Sequence, residues 1–247
     1  MTEVLFRDNA YLETAEAKVV AITETGGIVL DRTIFYPTGG GQPGDRGHFE
    51  CADGRRMAVA NTVYADAGKI AIAHLLADGE TPPAIGETVQ LTIDWPLRYA
   101  RMRMHTAMHL LSVVLPYAVT GGSVGETEGR LDFDIPDPTI DKDDIERRLN
   151  SLIRADHPVS TEWITDAELD ANPGLVKTMS VAPPRGSGRV RLVRIGLPEA
   201  SVDLQPCGGT HVRSTAEIGD IAITKIEKKG KLNRRVRLAF ASEAPEG

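Results

Sequence analysis

Apolar and polar positions alternate in short runs through residues 1–92, the signature of half-buried strands. The runs 19–22 and 28–30 are split by Thr25-Gly26-Gly27, a hairpin signal. Further strands are predicted over 32–36, 47–51, 56–63, 69–75 and 88–93, with Gly and Pro between them. Many short strands with this punctuation predict a small β-barrel.

The pattern changes at Asp94-Trp95-Pro96. From residue 97 to 115, Met104, Met108, Leu111 and Leu115 recur at three- and four-residue spacing, which predicts a helix stopped by Pro116. A second, amphipathic helix is predicted over 140–154, from Ile145, Leu149, Leu152 and Ile153. Strands are predicted over 130–135, 159–165, 190–195, 221–225 and 235–240, and short helical pieces over 166–170 and 173–177. Strands and helices mix without βαβ alternation. The expected fold class is therefore α+β: a barrel domain with a glycine-rich loop in residues 1–92, then a mixed α+β domain in 93–247.

Composition narrows this only a little. The chain has 247 residues and ordinary apolar content, enough for a substantial core. No apolar run reaches the ~20 residues that span a bilayer. The first residues show no basic stretch followed by an apolar one, so no signal peptide is expected. Two cysteines, far apart, are not a disulfide framework, and a reducing cytoplasm is the expected setting. The net charge of −7 argues against nonspecific nucleic-acid binding. Basic residues nevertheless cluster: Lys225, Lys228, Lys229, Lys231, Arg234, Arg235 and Arg237 against Glu227; Arg185, Arg189, Arg191 and Arg194; and Arg98, Arg101 and Arg103. These read either as solvated faces or as the footprint of a phosphate-bearing ligand.

The candidate chemistry lies in two clips. His105 and His109, four apart, share one helix face. Far along the chain, Cys207-Gly208-Gly209-Thr210-His211 brings a thiol and an imidazole to the same spacing. Three imidazoles and a thiolate suit Zn²⁺. Four protein ligands suit a structural site, whereas the long separation of the clips, in a region large enough to fold unaided, suits a catalytic or substrate-positioning one. A peptidase of the HExxH kind is disfavoured, because Thr106 stands where the general-base Glu would be. The run from Thr38 to Gly47 holds Gly39, Gly40, Gly41 and Gln42. It lacks the Lys-Ser/Thr ending of a phosphate-binding loop and reads as a wide turn, or as bare backbone able to approach a ligand.

Arg103-Met104-His105-Thr106-Ala107-Met108-His109-Leu110-Leu111 and Cys207-Gly208-Gly209-Thr210-His211-Val212 closely resemble the editing domain of alanyl-tRNA synthetase. The glycine-rich loop resembles the segment before that domain. With no room for an ATP-binding domain, the chain resembles the freestanding alanyl-tRNA editing proteins of the AlaX family, in their medium-length form. The resemblance implies a zinc-dependent, cytoplasmic deacylase of tRNA(Ala) mischarged with serine or glycine. His105, His109, Cys207 and His211 would hold the metal, with no protein base and the vicinal ribose hydroxyl moving the proton. Thr106, Gln42, Gly39, Gly40, Gly41 and Asp203 are the candidate substrate contacts. Thr106 has the alternative of a helix threonine bonded to its own backbone, and Asp203 those of fixing a histidine tautomer or forming a surface salt bridge. Lys225, Lys228, Lys229, Lys231, Arg234 and Arg235 are the expected tRNA contacts. The competing reading is a noncatalytic tRNA-binding module with a structural zinc.

Overall fold

The computed structural model describes residues 2–136, 140–177 and 188–241, and the chain divides into two compact units, Met1–Tyr99 and Ala100–Gly247. In the first, β1 (Glu3–Val4) pairs in parallel with β4 (Arg32–Thr33). The strands β2 (Thr14–Ile22), β3 (Ile28–Leu30), β5 (Gly47–Cys51), β6 (Arg56–Tyr64), β7 (Ile72–Leu76) and β8 (Thr88–Ile93) close into a six-stranded antiparallel barrel in the order β2-β3-β7-β6-β5-β8. Alternation fills it: Ala17 and Val19, Ile28 and Leu30, Phe49 and Cys51, Met57 and Val59, and Val89, Leu91 and Ile93 all point inward. His74 is buried beside them. Its Nδ1 lies 2.9 Å from the Ile28 carbonyl, and its Nε2 lies 2.8 Å from the Thr33 hydroxyl.

Two predicted strands are shorter than expected, for the same reason. Side chains capture the backbone donors that a ladder would need. After Thr33, the Phe35 N–H goes to the Thr33 hydroxyl at 3.0 Å and the Tyr36 N–H to the Asp45 carboxylate at 2.6 Å. Before Ile72, Asp66 accepts from the N–H groups of Ile70 and Ala71. Asp45 also receives Arg98 in an ion pair whose side chains are 1% and 0% exposed. Arg98 donates further to the Ala10 and Ile34 carbonyls.

The second unit contains most of helix α1 (Trp95–Val114), which starts in the first. It continues with β9 (Val119–Ser123), β10 (Glu128–Asp134), α2 (Lys142–Arg154), β11 (Val159–Thr165), α3 (Asp166–Ala171), β12 (Arg189–Leu197), β13 (Ala200–Pro206), β14 (Ile221–Lys228) and β15 (Asn233–Phe240). Two antiparallel sheets result, β14-β15-β10-β9 and β11-β12-β13. The fold is α+β. Asp141 caps α2 by accepting from Asp143 and Asp144, while Asn150 pairs with both backbone groups of Ile221 at 2.9 and 2.7 Å. Helix α1 is apolar on most sides, with Met102, Met104, Ala107, Met108, Leu110 and Leu111 all buried, as a core helix should be. Strand β10 presses against it at Gly129, where a Cβ would stand 2.8 Å from Met104 Cγ and 3.0 Å from Met108 Sδ. Arg103 holds the far side. Its guanidinium lies 4.1 Å from the Phe240 ring centroid and donates to the Ile218 carbonyl.

Candidate metal centre

One face of α1 carries His105 and His109. The last rung of the β12–β13 ladder, Cys207 N–H to the Arg191 carbonyl at 3.1 Å, delivers Cys207 opposite them. Beyond it the chain bends through Gly208 and Gly209 without entering the left-handed region and returns His211 to the same spot. One ligand atom each from His105, His109, Cys207 and His211 lies within 4.8 Å of all the others. The Cys207 sulfur, 102 residues beyond His105, is 3.6 Å from His105 Nε2 and 3.3 Å from His211 Nε2. Ligands at the usual zinc bond lengths of about 2.0–2.3 Å subtend edges of about that size in a tetrahedron. The donor set and spacing therefore fit zinc.

Neighbours fix the rings. Asp203, 3% exposed, places Oδ2 3.1 Å from His109 Nδ1. Its carboxylate also receives Lys177 Nζ at 2.5 Å and Gln205 Nε2 at 2.7 Å. The Thr106 hydroxyl donates to the Met102 carbonyl at 2.9 Å and lies 3.1 Å from His211 Nδ1, so it accepts that ring's N–H. Both histidines thus leave Nε2 for the centre of the cluster. Arg191 clamps the thiol-bearing loop through Nη1, donating to the Cys207 and Gly209 carbonyls at 2.8 and 3.0 Å.

The four side chains and Asp203 perturb one another's charge. Burial works to raise the Cys207 thiol, but the charges of His105 and His211 override it and hold the pKa well below its ordinary value. Burial works to lower His109, yet the hydrogen bond to Asp203 dominates and lifts it to about 9. Asp203, despite burial, is held at about 2 by His109 and Lys177. Burial and the charge of His105 push His211 down to about 3.

The structure therefore brings together the four expected ligands, and it places Thr106 beneath His211 and Asp203 behind His109. Gly39, Gly40, Gly41 and Gln42 belong to the first unit. There Gly39 and Gln42 exchange two backbone bonds of 3.0 Å, and Gly40 and Gly41 form the turn with φ of 57° and 82°. The side chain of Gln42 is buried.

The basic clusters divide. Arg98, Arg101 and Arg103 are not a surface footprint, since Arg98 and Arg101 are buried and paired with Asp45 and Glu126. Arg194 pairs with Glu162, and Arg185 lies outside the described residues. On the β14–β15 hairpin, Arg235 is bound to Asp132 at 2.7 Å and Arg234 is buried against backbone carbonyls. Lys225, Lys228, Lys229 and Lys231 are exposed, with Lys225 and Lys229 each 3.5 Å from Glu227. Lys177, Gln205 and the clamp role of Arg191 had no sequence expectation. A register argument offered one signal for Arg191, which shares a strand face with apolar Val193 and Ile195.

A family model described as the second additional domain of threonyl and alanyl tRNA synthetase matches residues 190–237, and one for class II (A) tRNA synthetases matches residues 5–97. The alanyl-tRNA editing protein AlaX-M of Methanosarcina mazei is 34% identical, covering 99% of this chain and 98% of its own. AlaX-L of Pyrococcus horikoshii is 35% identical over 94% of this chain and 56% of its own. Alanine–tRNA ligase of Pyrobaculum aerophilum is 36% identical over 92% of this chain but only 25% of its own. With a third of its residues shared over nearly the full length of AlaX-M, the chain belongs to the AlaX family of alanyl-tRNA editing proteins.

Proposed function

We propose that this chain is a zinc-dependent hydrolase that removes serine or glycine from mischarged tRNA(Ala) in the cytoplasm. The observation that carries the proposal is the convergence of His105, His109, Cys207 and His211 on one position, in a chain of this family. A synthetase pocket built for alanine gains only ~1–3 kcal/mol against an added hydroxyl or a missing methyl, so a second, hydrolytic site is needed for fidelity.

Zinc held by these four side chains would supply a Lewis acid that polarises the ester carbonyl or orients a water. The protein does the positioning. Asp203 and Thr106 set the His109 and His211 rings, so their part is played through the ligands. Arg191 holds the loop that presents the thiolate. The Asp203 carboxylate is already committed to His109, Gln205 and Lys177, and the substrate's own vicinal ribose hydroxyl carries the proton. The exposed Gly40-Gly41 tip, with Gly39 and Gln42 at its base, offers backbone to the same substrate. Lys225, Lys228, Lys229 and Lys231 meet acceptor-stem phosphates, whereas Arg234 and Arg235, engaged within the protein, hold the hairpin that presents them.

A closed four-ligand set also suits a structural zinc in a noncatalytic tRNA-binding module. Deacylation of Ser-, Gly- and Ala-tRNA(Ala) by the zinc-loaded protein and by His109→Ala separates the readings. Turnover of the first two, lost in the variant, is expected. A folded, zinc-loaded protein that binds tRNA(Ala) without turnover would leave the module reading standing.

A further inference from the structure

We propose that Trp163 is the stacking platform for the terminal adenine of the acylated tRNA, an inference that rests on the editing function proposed above. Trp163 lies on β11, the edge strand of the β11-β12-β13 sheet, and is 43% exposed. Its neighbour Ile164 points the other way, into a buried cluster with Leu169, Val190 and Leu192. Trp163 therefore belongs to the opposite face. Directly across the ladder stands Arg191, the residue that grips the Cys207 and Gly209 carbonyls. The next rung joins Arg191 to Cys207. Trp163, Arg191 and Cys207 thus form one row across the sheet, on the face that also carries Val193 and Gln205 as a facing pair.

The row sets a distance. Two strand spacings separate the backbones of Trp163 and Cys207, about 10 Å. A nucleoside with an ester on its ribose has about that reach from the acyl carbonyl to the far ring of the base. With the ester at the metal centre, the adenine falls on a half-exposed indole, and a large aromatic surface at that place is suited to stacking. An exposed tryptophan elsewhere on an edge strand would carry no such relation.

The chain has two tryptophans, Trp95 and Trp163, so Trp95→Phe leaves a single fluorescent reporter at the proposed platform. Acceptor minihelices ending in CCA should quench it, and the same minihelices ending in CC should not. In steady state, Trp163→Ala should raise KM for Ser-tRNA(Ala) about 10-fold with kcat changed less than about two-fold, and Trp163→Phe should recover most of the loss. Equal quenching by both minihelices, or unchanged KM in Trp163→Ala, overturns the proposal. So does a variant that shifts only sedimentation, which would assign this edge to a second copy of the chain. Absence of deacylation by the unmodified protein would remove the editing reading, while the quenching experiment would still decide the stacking.

Discussion

Asp203 Oδ2 sits 3.1 Å from His109 Nδ1, and this one contact decides which nitrogen of His109 can meet a metal. Asp203→Asn keeps the size but weakens the acceptor. Zinc affinity, read by competition with a chromophoric chelator, should fall about 10–100-fold with little change in secondary structure. Unchanged affinity would mean that the ring is oriented by packing alone.

Thr106 supports His211 in the same way, and its hydroxyl is committed to the helix carbonyl of Met102 as well. Thr106→Val removes the acceptor at nearly constant volume. We expect weaker zinc binding, about 1–3 kcal/mol, because the His211 N–H is left buried without a partner. Thr106→Ser should restore it. A variant that kept its zinc but changed the serine-to-glycine preference would instead return Thr106 to the substrate.

Arg191→Lys exchanges a planar, multi-donor group for a single ammonium. Loss of one charged hydrogen bond to the Cys207–Gly209 loop should cost about 1.5–3 kcal/mol. The reading is a fall in kcat/KM and faster chelator-induced zinc loss, since the loop that carries the thiolate loosens. Loss of stability with zinc release unchanged would place the clamp's effect elsewhere.

The β14–β15 hairpin makes two separable predictions. Replacing Lys225, Lys228, Lys229 and Lys231 with Ala should flatten the dependence of log KM on log salt, by about 0.7–0.9 for each phosphate that a lysine no longer neutralises. Arg235→Ala should chiefly lower Tm, because Arg235 bridges β15 to Asp132 on β10.

His74 gives the barrel a pH limit. Burial holds its pKa down to about 4, below the ordinary 6.5, although its bond to the Ile28 carbonyl works the other way. Above pH 6.5 both folded and unfolded forms are neutral there and the residue contributes no slope. As pH falls from 6.5 toward 4 the unfolded chain gains a proton that the folded chain refuses. Stability should therefore drop by about 3 kcal/mol across that window and level off below it. Denaturant melts of wild type and His74→Leu should differ by this share, with a shallower fall of stability from pH 6.5 to 4 in the variant.

The four clustered side chains can be read from the sequence because helical and tight-loop spacings are local; of the residues beside them, Thr106 and Asp203 are legible as candidates, whereas Lys177, Gln205 and the clamp role of Arg191 are not. Strand β13 escapes a periodicity reading since its site-facing positions, Asp203 and Gln205, are polar. Their burial is satisfied by His109, Lys177 and each other, so no apolar alternation marks the strand. Strand β9 escapes it because Gly121 and Gly122 dilute its pattern. Arg98 and Arg101 look like surface charge because a buried guanidinium differs from an exposed one only in its partners, and Asp45 and Glu126 are distant in sequence. The barrel is legible because its core positions simply alternate.

Gly129 shows that the packing behind the two helix histidines comes from a strand further along the chain. Met104 and Met108, each one residue ahead of a histidine of the cluster, rest on this bare patch of strand. A single added methyl there would stand 2.7 Å from Met104 Sδ and 3.0 Å from Met108 Sδ, so both thioether side chains would have to repack beneath the two imidazoles. The packing beneath His105 and His109 thus depends on the missing side chain of a residue outside their cluster.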